Sequence, residues 1–194
     1  MSRLAAALVV SCLMVPQIGW AQAPLRDEYV KRFQGKPAPP FALKDMNGRA
    51  VRLSDYRGKV VLLNFWYSAC YPCRAETPDL ITLYRAHESQ GLAVLGINTD
   101  ALIMASDQGR TLRSFVDTFR IPYPVLVADR KVFEDYGRTP IAPITFLVDP
   151  RGTIARVFWG ATHGRDFESA VGPYLEARAA GGPSKGAASA PAAP

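Results

Sequence analysis

Apolar residues along this chain follow two alternating patterns, short continuous runs and stretches with helical spacing. Residues 60–66 (VVLLNFW) and 92–97 (LAVLGI) are nearly continuous apolar runs, which favour strands buried on both faces of a sheet. Residues 74–90 lie between them, are rich in helix formers with apolar positions on one face, and end before Gly91. The pattern therefore predicts a strand, a helix and a second strand in that order.

The rest of the chain continues this alternation. Asn47-Gly48 is a strong signal for a β-hairpin turn, and Asp149-Pro150-Arg151-Gly152 is a good turn sequence between two late strands. Further strands are predicted at 41–43, 50–53, 124–127, 144–148 and 154–158, and further helices at 111–119, 132–136 and 166–177. Because strands and helices alternate without an internal repeat, we expect a single α/β domain over residues 33–178.

The first 23 residues resemble a secretory signal peptide rather than part of the fold. Arg3 supplies the positive charge, residues 4–15 form an apolar stretch that Pro16 interrupts, and residues 21–23 (AQA) form a small-x-small cleavage site. An uncleaved membrane anchor and lipidation at Cys12 are the alternatives. We therefore expect an exported protein, located in the periplasm of a bacterium.

Two other segments lie outside the expected domain. Residues 24–32 are expected to form a linker between the signal peptide and the domain. Residues 179–194 (AAGGPSKGAASAPAAP) contain no large apolar side chain, so nothing in them can offset the entropy that ordering would cost. We therefore expect a disordered tail there.

Composition and charge narrow the function. The chain has 194 residues, of which 48% are apolar and 21% charged, which is ordinary for a globular protein. Its 23 Lys and Arg against 17 Asp and Glu give a formal charge of +6, but the basic residues are scattered along the chain. No basic stripe marks a nucleic-acid face, and we expect no nucleic-acid partner.

The cysteines indicate the chemistry. Of the three, Cys12 belongs to the expected signal peptide, which leaves Cys70 and Cys73 in an exported chain. A structural disulfide across four residues would stabilise the fold by only about 2 kcal/mol in the chain-entropy model. A zinc site lacks further ligands at a suitable spacing, since His87 and His163 are far apart, and haem attachment would need a histidine where Arg74 stands. A redox-active dithiol is favoured.

The predicted position of this pair supports redox chemistry. The cysteines lie where a buried strand passes into a helix, and Pro72 is compatible with the first helical turn. A sulfur at a helix N-terminus is stabilised as thiolate, the nucleophile of disulfide exchange, by free N–H groups and the helix dipole. We expect Cys70 to be the exposed attacking thiol and Cys73 to be the more buried resolving thiol.

A set of motifs in a fixed order extends this interpretation to a family. These motifs are Gly35-Lys36-Pro37-Ala38-Pro39 with Phe41, Leu53-Ser54-Asp55 with Arg57-Gly58-Lys59, Asn64-Phe65-Trp66, Cys70-Tyr71-Pro72-Cys73-Arg74-Ala75-Glu76 with Pro78, and Ala142-Pro143-Ile144-Thr145-Phe146 with Asp149 and Gly152. With them the chain resembles the exported thiol–disulfide oxidoreductases of the TlpA/ResA type, which have the thioredoxin fold. The resemblance covers residues 33–178 and implies a central mixed sheet flanked by helices, with an N-terminal β-hairpin extension.

The resemblance also implies roles that the spacing of residues does not show. In such proteins a cis proline lies against the disulfide, which here would be Pro143, and the backbone of Ala142 would pair with an extended client segment. An acid beside the cysteines would be Glu76, able to exchange a proton with a thiol. The alternatives are an ordinary trans proline at a strand edge and a solvated carboxylate that pairs with a neighbouring Arg or Lys.

Two differences affect the expected site, one from thioredoxin itself and one from the residue that usually precedes the first cysteine. Thioredoxin has a buried aspartate where this chain has Asn64, and proteins of the TlpA/ResA type also have asparagine there. Ala69 replaces the tryptophan that usually precedes the first cysteine. The loss of that indole puts substrate preference and reduction potential in question. The expected client contacts are Trp66, Tyr71, Pro72 and Ala142, with Tyr67 as a further aromatic candidate. The alternative for Trp66 is a purely structural place in the core.

The resulting hypothesis is a reductase of client disulfides that needs neither cofactor nor metal and acts as a monomer. The resemblance suggests a membrane thiol donor of the DsbD/CcdA kind, with apocytochromes c or copper-site proteins as clients. A disulfide-forming oxidase is one alternative. A peroxidase would have Thr or Ser at position 67, where this chain has Tyr67, and a copper carrier would have a Cys-x-x-x-Cys pair with a nearby histidine.

Overall fold

The computed structural model describes residues 23–104 and 109–181. The expected signal peptide up to residue 22, with the alternatives of an anchor and of lipidation at Cys12, lies outside the described residues. So does most of the expected tail, from residue 182 onward.

A seven-stranded mixed sheet forms the centre of the domain, in the strand order β2-β1-β5-β4-β3-β6-β7. The strands are β1 Ala42–Asp45, β2 Ala50–Arg52, β3 Val60–Trp66, β4 Leu92–Asn98, β5 Val125–Val127, β6 Ile144–Val148 and β7 Ile154–Trp159. The two longest, β3 and β4, are parallel and buried along their whole length, as their apolar runs predict. On its other side β3 pairs antiparallel with β6.

The described residues also form six α-helices beside the sheet. They are α1 Ala23–Phe33, α2 Tyr71–His87, α3 Asp100–Ile103, α4 Arg110–Phe119, α5 Arg130–Asp135 and α6 Gly164–Ala179, with short 3-10 turns at Leu53–Tyr56 and Glu88–Gln90. The hydrophobic pattern predicts all of these helices except α1 and α3, to within three residues at each start. Within residues 23–104 and 109–181, no helix combines the length and apolar character that crossing a membrane requires.

The alternation of side chains along β3 divides the core into layers. Val61, Leu63 and Phe65 join one apolar cluster, whereas Val60 and Leu62 join another on the opposite face of the sheet. Helices α1 and α5 pack into the first cluster, and α2 and α6 into the second. The sheet is therefore covered by helices on both faces, as expected.

The expected linker over residues 24–32 is instead helical. Tyr29 and Phe33 lie four residues apart on one face of α1 and are both buried in the first cluster. The Phe33 ring contacts Phe146 edge-on at 5.4 Å between centroids, and the Tyr29 hydroxyl donates to the carbonyl of Tyr136. The prediction of a linker is wrong because Tyr29 and Phe33 bury their rings in the core, with Val30 packed beside them, and so dock the helix on the sheet.

The N-terminal hairpin is confirmed. Strands β1 and β2 pair antiparallel around Asn47-Gly48 at one edge of the sheet, and Gly48 has the positive φ that this turn requires. β1 also pairs with β5, which joins the hairpin to the rest of the sheet. The extension is therefore an integral part of the sheet.

Candidate active site

The two cysteines form a disulfide at the start of α2. The S–S distance is 2.05 Å, and Cys70 is the N-cap residue of the helix, with its Sγ accepting a hydrogen bond from the Cys73 amide at 3.1 Å. Pro72 lies in the first turn, where a missing N–H costs the helix nothing. The predicted passage from buried strand to helix is confirmed, and it aims free N–H groups at the Cys70 sulfur.

The prediction that Cys70 is exposed is wrong for this oxidised structure. Cys70 is 1% exposed and Cys73 3%, so both are buried. They belong to an apolar cluster with Trp66, Leu112 and Phe115, and the carbonyl oxygen of Ala142 lies 3.6 Å from the Cys70 sulfur. Sequence alone missed this cover because it comes from α4 and from the loop before β6, distant in the chain.

The Ala142–Pro143 peptide bond is cis, as the resemblance implies. The register between β3 and β6 pairs Phe65 with Ile144, which carries Pro143 to the end of β3 where the cysteine loop begins. This register explains how the Ala142 carbonyl reaches the Cys70 sulfur across 72 residues of chain. The alternative of a trans edge proline does not hold.

Glu76 is the buried carboxyl group of this region. It is 3% exposed, and it accepts hydrogen bonds from Asn64 Nδ2 at 2.9 Å and from the Thr162 amide at 2.7 Å. Burial raises its pKa to about 8, against the opposing effect of these two hydrogen bonds and with a smaller upward contribution from the charge of Asp79. The alternative of a solvated carboxylate paired with Arg or Lys is excluded by this burial.

The sequence did not predict that Thr145 and Thr162 would lie in the surroundings of Glu76. Asn64 Nδ2 also donates to Thr145 Oγ1 at 2.8 Å, so Asn64 links β3 to both α2 and β6. Thr162 belongs to the loop after β7 and contributes only its backbone amide. A backbone N–H can come from any residue type, so the sequence could not have predicted the Thr162 contact. Thr145 lies two residues after Pro143 in a motif already identified, and its hydroxyl could have been considered as a partner of Asn64.

The expected client contacts divide into surface and core. Tyr71 is 82% exposed, Pro72 is exposed beside it, and Ala142 is half-buried. Trp66 is 3% exposed, with its ring packed against Phe115 at 4.4 Å between centroids. For Trp66 the alternative of a core residue holds instead of a client contact, because its side chain fills the core under the disulfide.

The histidines take no part in a cluster suited to a metal. In the described ranges, no group of three or more His, Cys, Asp or Glu side chains could hold an ion. His87 interacts with Glu168 at 2.8 Å between α2 and α6, and His163 is exposed before α6.

Comparison with known proteins agrees with this geometry. Residues 34–157, more than half of the chain, match the AhpC/TSA family. The chain belongs to the AhpC/TSA family. Within it, the chain is 35% identical over 143 residues to thiol-disulfide oxidoreductase ResA of Bacillus subtilis (strain 168), an overlap of 73% of this chain and 74% of that protein.

A second relative and a solved structure give the same result. The chain is 32% identical over 169 residues to thiol-disulfide oxidoreductase ResA of Geobacillus thermodenitrificans (strain NG80-2), which covers 86% of this chain and 92% of that one. The crystal structure of a thiol:disulfide interchange protein of the thioredoxin family from Chlorobium tepidum TLS superposes with a TM-score of 0.65 at 25% identity, covering 73% of this chain and 97% of that chain.

These similarities confirm the thioredoxin fold and the resemblance to proteins of the TlpA/ResA type. Together with the Cys70–Cys73 disulfide, they identify this member of the AhpC/TSA family as a thiol–disulfide oxidoreductase.

Proposed function

We propose that this protein reduces disulfides in exported client proteins through the Cys70 and Cys73 thiols. The observation that carries the proposal is a disulfide at the N-terminus of α2 whose sulfur already accepts a helix amide, one turn from a buried carboxyl group. That setting favours a thiolate at Cys70 and provides a proton acceptor near Cys73.

The reaction transfers two electrons from the dithiol to the client. The Cys70 thiolate attacks one sulfur of the client disulfide, the client S–S bond breaks, and a mixed disulfide forms while one client sulfur leaves as thiolate. Cys73 then loses its proton and attacks the Cys70 sulfur, which releases the second client thiolate and restores the Cys70–Cys73 disulfide. The two client thiolates take up protons to complete the reduction.

In its ionised form, which is the minor form at neutral pH, Glu76 is the proposed acceptor for the Cys73 proton. It lies three residues after Cys73, one turn along α2, and a carboxyl group with a pKa of about 8 can both hold and release a proton near neutral pH. Its low exposure keeps bulk water away from the exchange.

The client is expected to dock on the surface around the disulfide. Tyr71 and Pro72 stand exposed next to the buried sulfur atoms, and the Ala142 backbone lies at the Cys70 sulfur from the other side. Pro143 has no N–H to donate, so an extended client segment would pair with the Ala142 backbone. Tyr71 would give that segment an aromatic surface.

The proposal also covers where the protein acts, what supplies its electrons and which proteins it reduces. A cleaved signal peptide over residues 1–23 would export the protein to the bacterial periplasm, where the oxidised form needs a source of electrons. A membrane thiol donor of the DsbD/CcdA kind would supply them to a monomeric protein, and apocytochromes c awaiting haem or copper-site proteins would be the clients. The names of the ResA relatives support the exchange chemistry that this route needs.

The reduction potential of the Cys70–Cys73 pair tests the direction of the reaction. We expect a value near or below that of thioredoxin, about −270 mV, when the protein is equilibrated with thiol buffers. A value near about −120 mV would instead make the protein a disulfide-forming oxidase. Absence of a two-electron couple would favour a redox-silent binding or metal-carrier role.

Trapping the mixed disulfide tests the order of the two cysteines. Cys73→Ser should accumulate a covalent complex with a disulfide-bearing protein such as insulin, because the resolving thiol is missing. The matched variant Cys70→Ser should form no complex and should lose insulin reduction. Complex formation by Cys70→Ser but not by Cys73→Ser would reverse the assignment.

A further inference from the structure

The loop that carries Cys70 is short, and Cys70 itself is buried in the apolar cluster with Trp66, Leu112 and Phe115. It runs from the end of β3 at Trp66 to the first residue of α2, and Ala69, the residue before Cys70, is exposed and offers only a methyl group. Ser68, by contrast, is 3% exposed. Of the two residues between Tyr67 and Cys70, Ser68 is therefore the one whose side chain the surrounding structure can hold.

Ser68 is held by one carboxylate at both of its donor groups. Its backbone N–H donates to Asp100 Oδ1 at 2.7 Å, and its hydroxyl donates to Asp100 Oδ2 at 2.5 Å. Hydrogen bonds to an ionised acceptor are shorter and stronger than neutral ones, and two of them from one residue also fix its orientation. Asp100 thus determines where Ser68 lies.

Asp100 is itself placed by the end of β4. Its N–H donates to Asn98 Oδ1 at 3.1 Å, and the preceding residue, Thr99, donates its N–H and its hydroxyl to the carbonyl of Trp66 at 2.9 and 3.2 Å. Because Trp66 and Asn98 are neighbours in the parallel pair of β3 and β4, the contacts continue the sheet beyond the last strand residue. The loop is therefore attached to β4 at two points, Trp66 and Ser68.

We propose that Asp100 is a positioning residue for the redox centre, which acts through Ser68 to hold Cys70 at the N-terminus of α2. The inference rests on the proposed role of Cys70 as the attacking thiol. The chain of contacts is short, because the Cys70 N–H donates to the carbonyl of Tyr67, next to Ser68. The Cys70 sulfur meets the Cys73 amide at 3.1 Å only while this turn keeps its shape.

A positioning role and a simple charge effect predict opposite changes. If the loop is released, the Cys70 thiolate loses its alignment with the helix amides, and the pKa of the thiol rises. If Asp100 acts only as a nearby negative charge, its removal relieves repulsion of the thiolate, and the pKa of the thiol falls. The other charged groups near the loop, Arg74 and Glu76 on α2 and Arg110 at the start of α4, stay the same in every variant.

The experiment follows alkylation of Cys70 as a function of pH in the reduced full-length chain, with the modified cysteine identified by peptide mass spectrometry. For Asp100→Ala we expect a higher pKa of the Cys70 thiol and about tenfold slower mixed-disulfide formation with insulin at neutral pH. Asp100→Asn should not raise the pKa, because its amide can still accept from the Ser68 N–H and donate to the Ser68 hydroxyl.

Asp129→Ala is the matched control. Asp129 caps α5 by accepting from the Val132 amide at 2.7 Å, so its loss removes a comparable carboxylate contact away from the cysteines. It should lower the melting temperature without changing the alkylation profile. If Asp100→Ala behaves like this control, or if it lowers the pKa of the Cys70 thiol as a lost charge would, the positioning role is overturned.

A Ser68→Ala variant and the order in which the two cysteines alkylate provide two further tests. Should Asp100→Ala fail to fold, Ser68→Ala removes only the hydroxyl contact, and we expect a smaller rise of the Cys70 thiol pKa in the same direction. An unchanged or lowered pKa in Ser68→Ala would overturn the inference. If Cys73 alkylates before Cys70 in the unaltered chain, the assignment of the attacking thiol fails, and this result is distinguishable because it needs no Asp100 variant.

Discussion

At the scale of single residues, Glu76 shows how burial and hydrogen bonding compete over one proton. Its two oxygens accept from Asn64 and from the Thr162 amide, contacts that favour the ionised form. Burial disfavours that form more strongly, and the net result is a pKa of about 8. A carboxyl group placed in this way is mostly protonated at neutral pH in the folded protein and ionised in the unfolded chain.

This difference in protonation predicts how the free energy of unfolding changes with pH. Between about pH 4.3, the pKa of an unfolded glutamate, and pH 8, the folded state binds the extra proton, so the free energy of unfolding falls as pH rises. The slope contributed by Glu76 reaches about 1.4 kcal/mol per pH unit. Glu76→Gln should remove that slope in urea titrations of the oxidised protein at several pH values.

The exposed Glu176 provides the control, since Glu176→Gln changes the same chemical group on the surface of α6. It should leave the pH dependence of unfolding as it is. Equal slopes for the unaltered protein and for Glu76→Gln would contradict the assignment of a raised pKa to Glu76.

At the scale of elements, the turn between α2 and β4 depends on a contact with α6. Gly91 ends the turn with φ of 99°, a backbone conformation that residues other than glycine rarely adopt. Arg178, near the end of α6, donates to the carbonyls of Gln90 and Gly58 at 2.7 and 2.8 Å. A Cβ at Gly91 would lie 2.2 Å from Arg178 Nη1, so the arginine occupies the space that a side chain would need.

Gly91→Ala should therefore cost more than backbone strain alone. Gly48→Ala is the matched control, because Gly48 has φ of 80° and a Cβ there would meet no atom within 4 Å beyond its chain neighbours. We expect about 1–2 kcal/mol of destabilisation for Gly48→Ala and about 1 kcal/mol more for Gly91→Ala, measured by urea denaturation. In an Arg178→Ala background the two losses should become equal, and equal losses with Arg178 present would refute the role of the arginine contact.

At the scale of the whole molecule, α1 shows that the domain extends further towards the N-terminus than the expected boundary at residue 33. Phe33 is 5% exposed and its ring lies near those of Tyr29, Tyr136 and Phe146. Leu25, on the same helix, is 62% exposed. One face of α1 therefore belongs to the core and the other faces solvent.

Phe33→Ala should destabilise the domain by about 3–5 kcal/mol, because it removes a buried aromatic side chain and leaves a cavity. Leu25→Ala on the same helix should change the free energy of unfolding by less than about 0.5 kcal/mol. Thermal or urea unfolding of both variants measures the contrast. Similar small losses for the two would mean that α1 is not docked and that residues 24–32 behave as a linker.

Local pattern accounts for what could be predicted. The apolar run at Val60–Trp66, the Cys-x-x-Cys pair and the helix behind it are determined by neighbours within a few residues, and the structure confirms their positions. Helix α1 and the Asp100 contact were missed. A pair of aromatic residues and a lone aspartate are common patterns whose meaning depends on distant partners.

The sequence by itself determined the order of the seven strands and of helices α2, α4, α5 and α6, the cysteines at a helix N-terminus and, through resemblance, the chemistry of disulfide exchange. The tertiary structure decided the burial of Cys70 and Trp66, the environment of Glu76 and the attachment of the cysteine loop through Asp100. The physical reason is that hydrophobic periodicity and helix capping act over a few residues. Desolvation and hydrogen-bond pairing depend on which segments the sheet brings together.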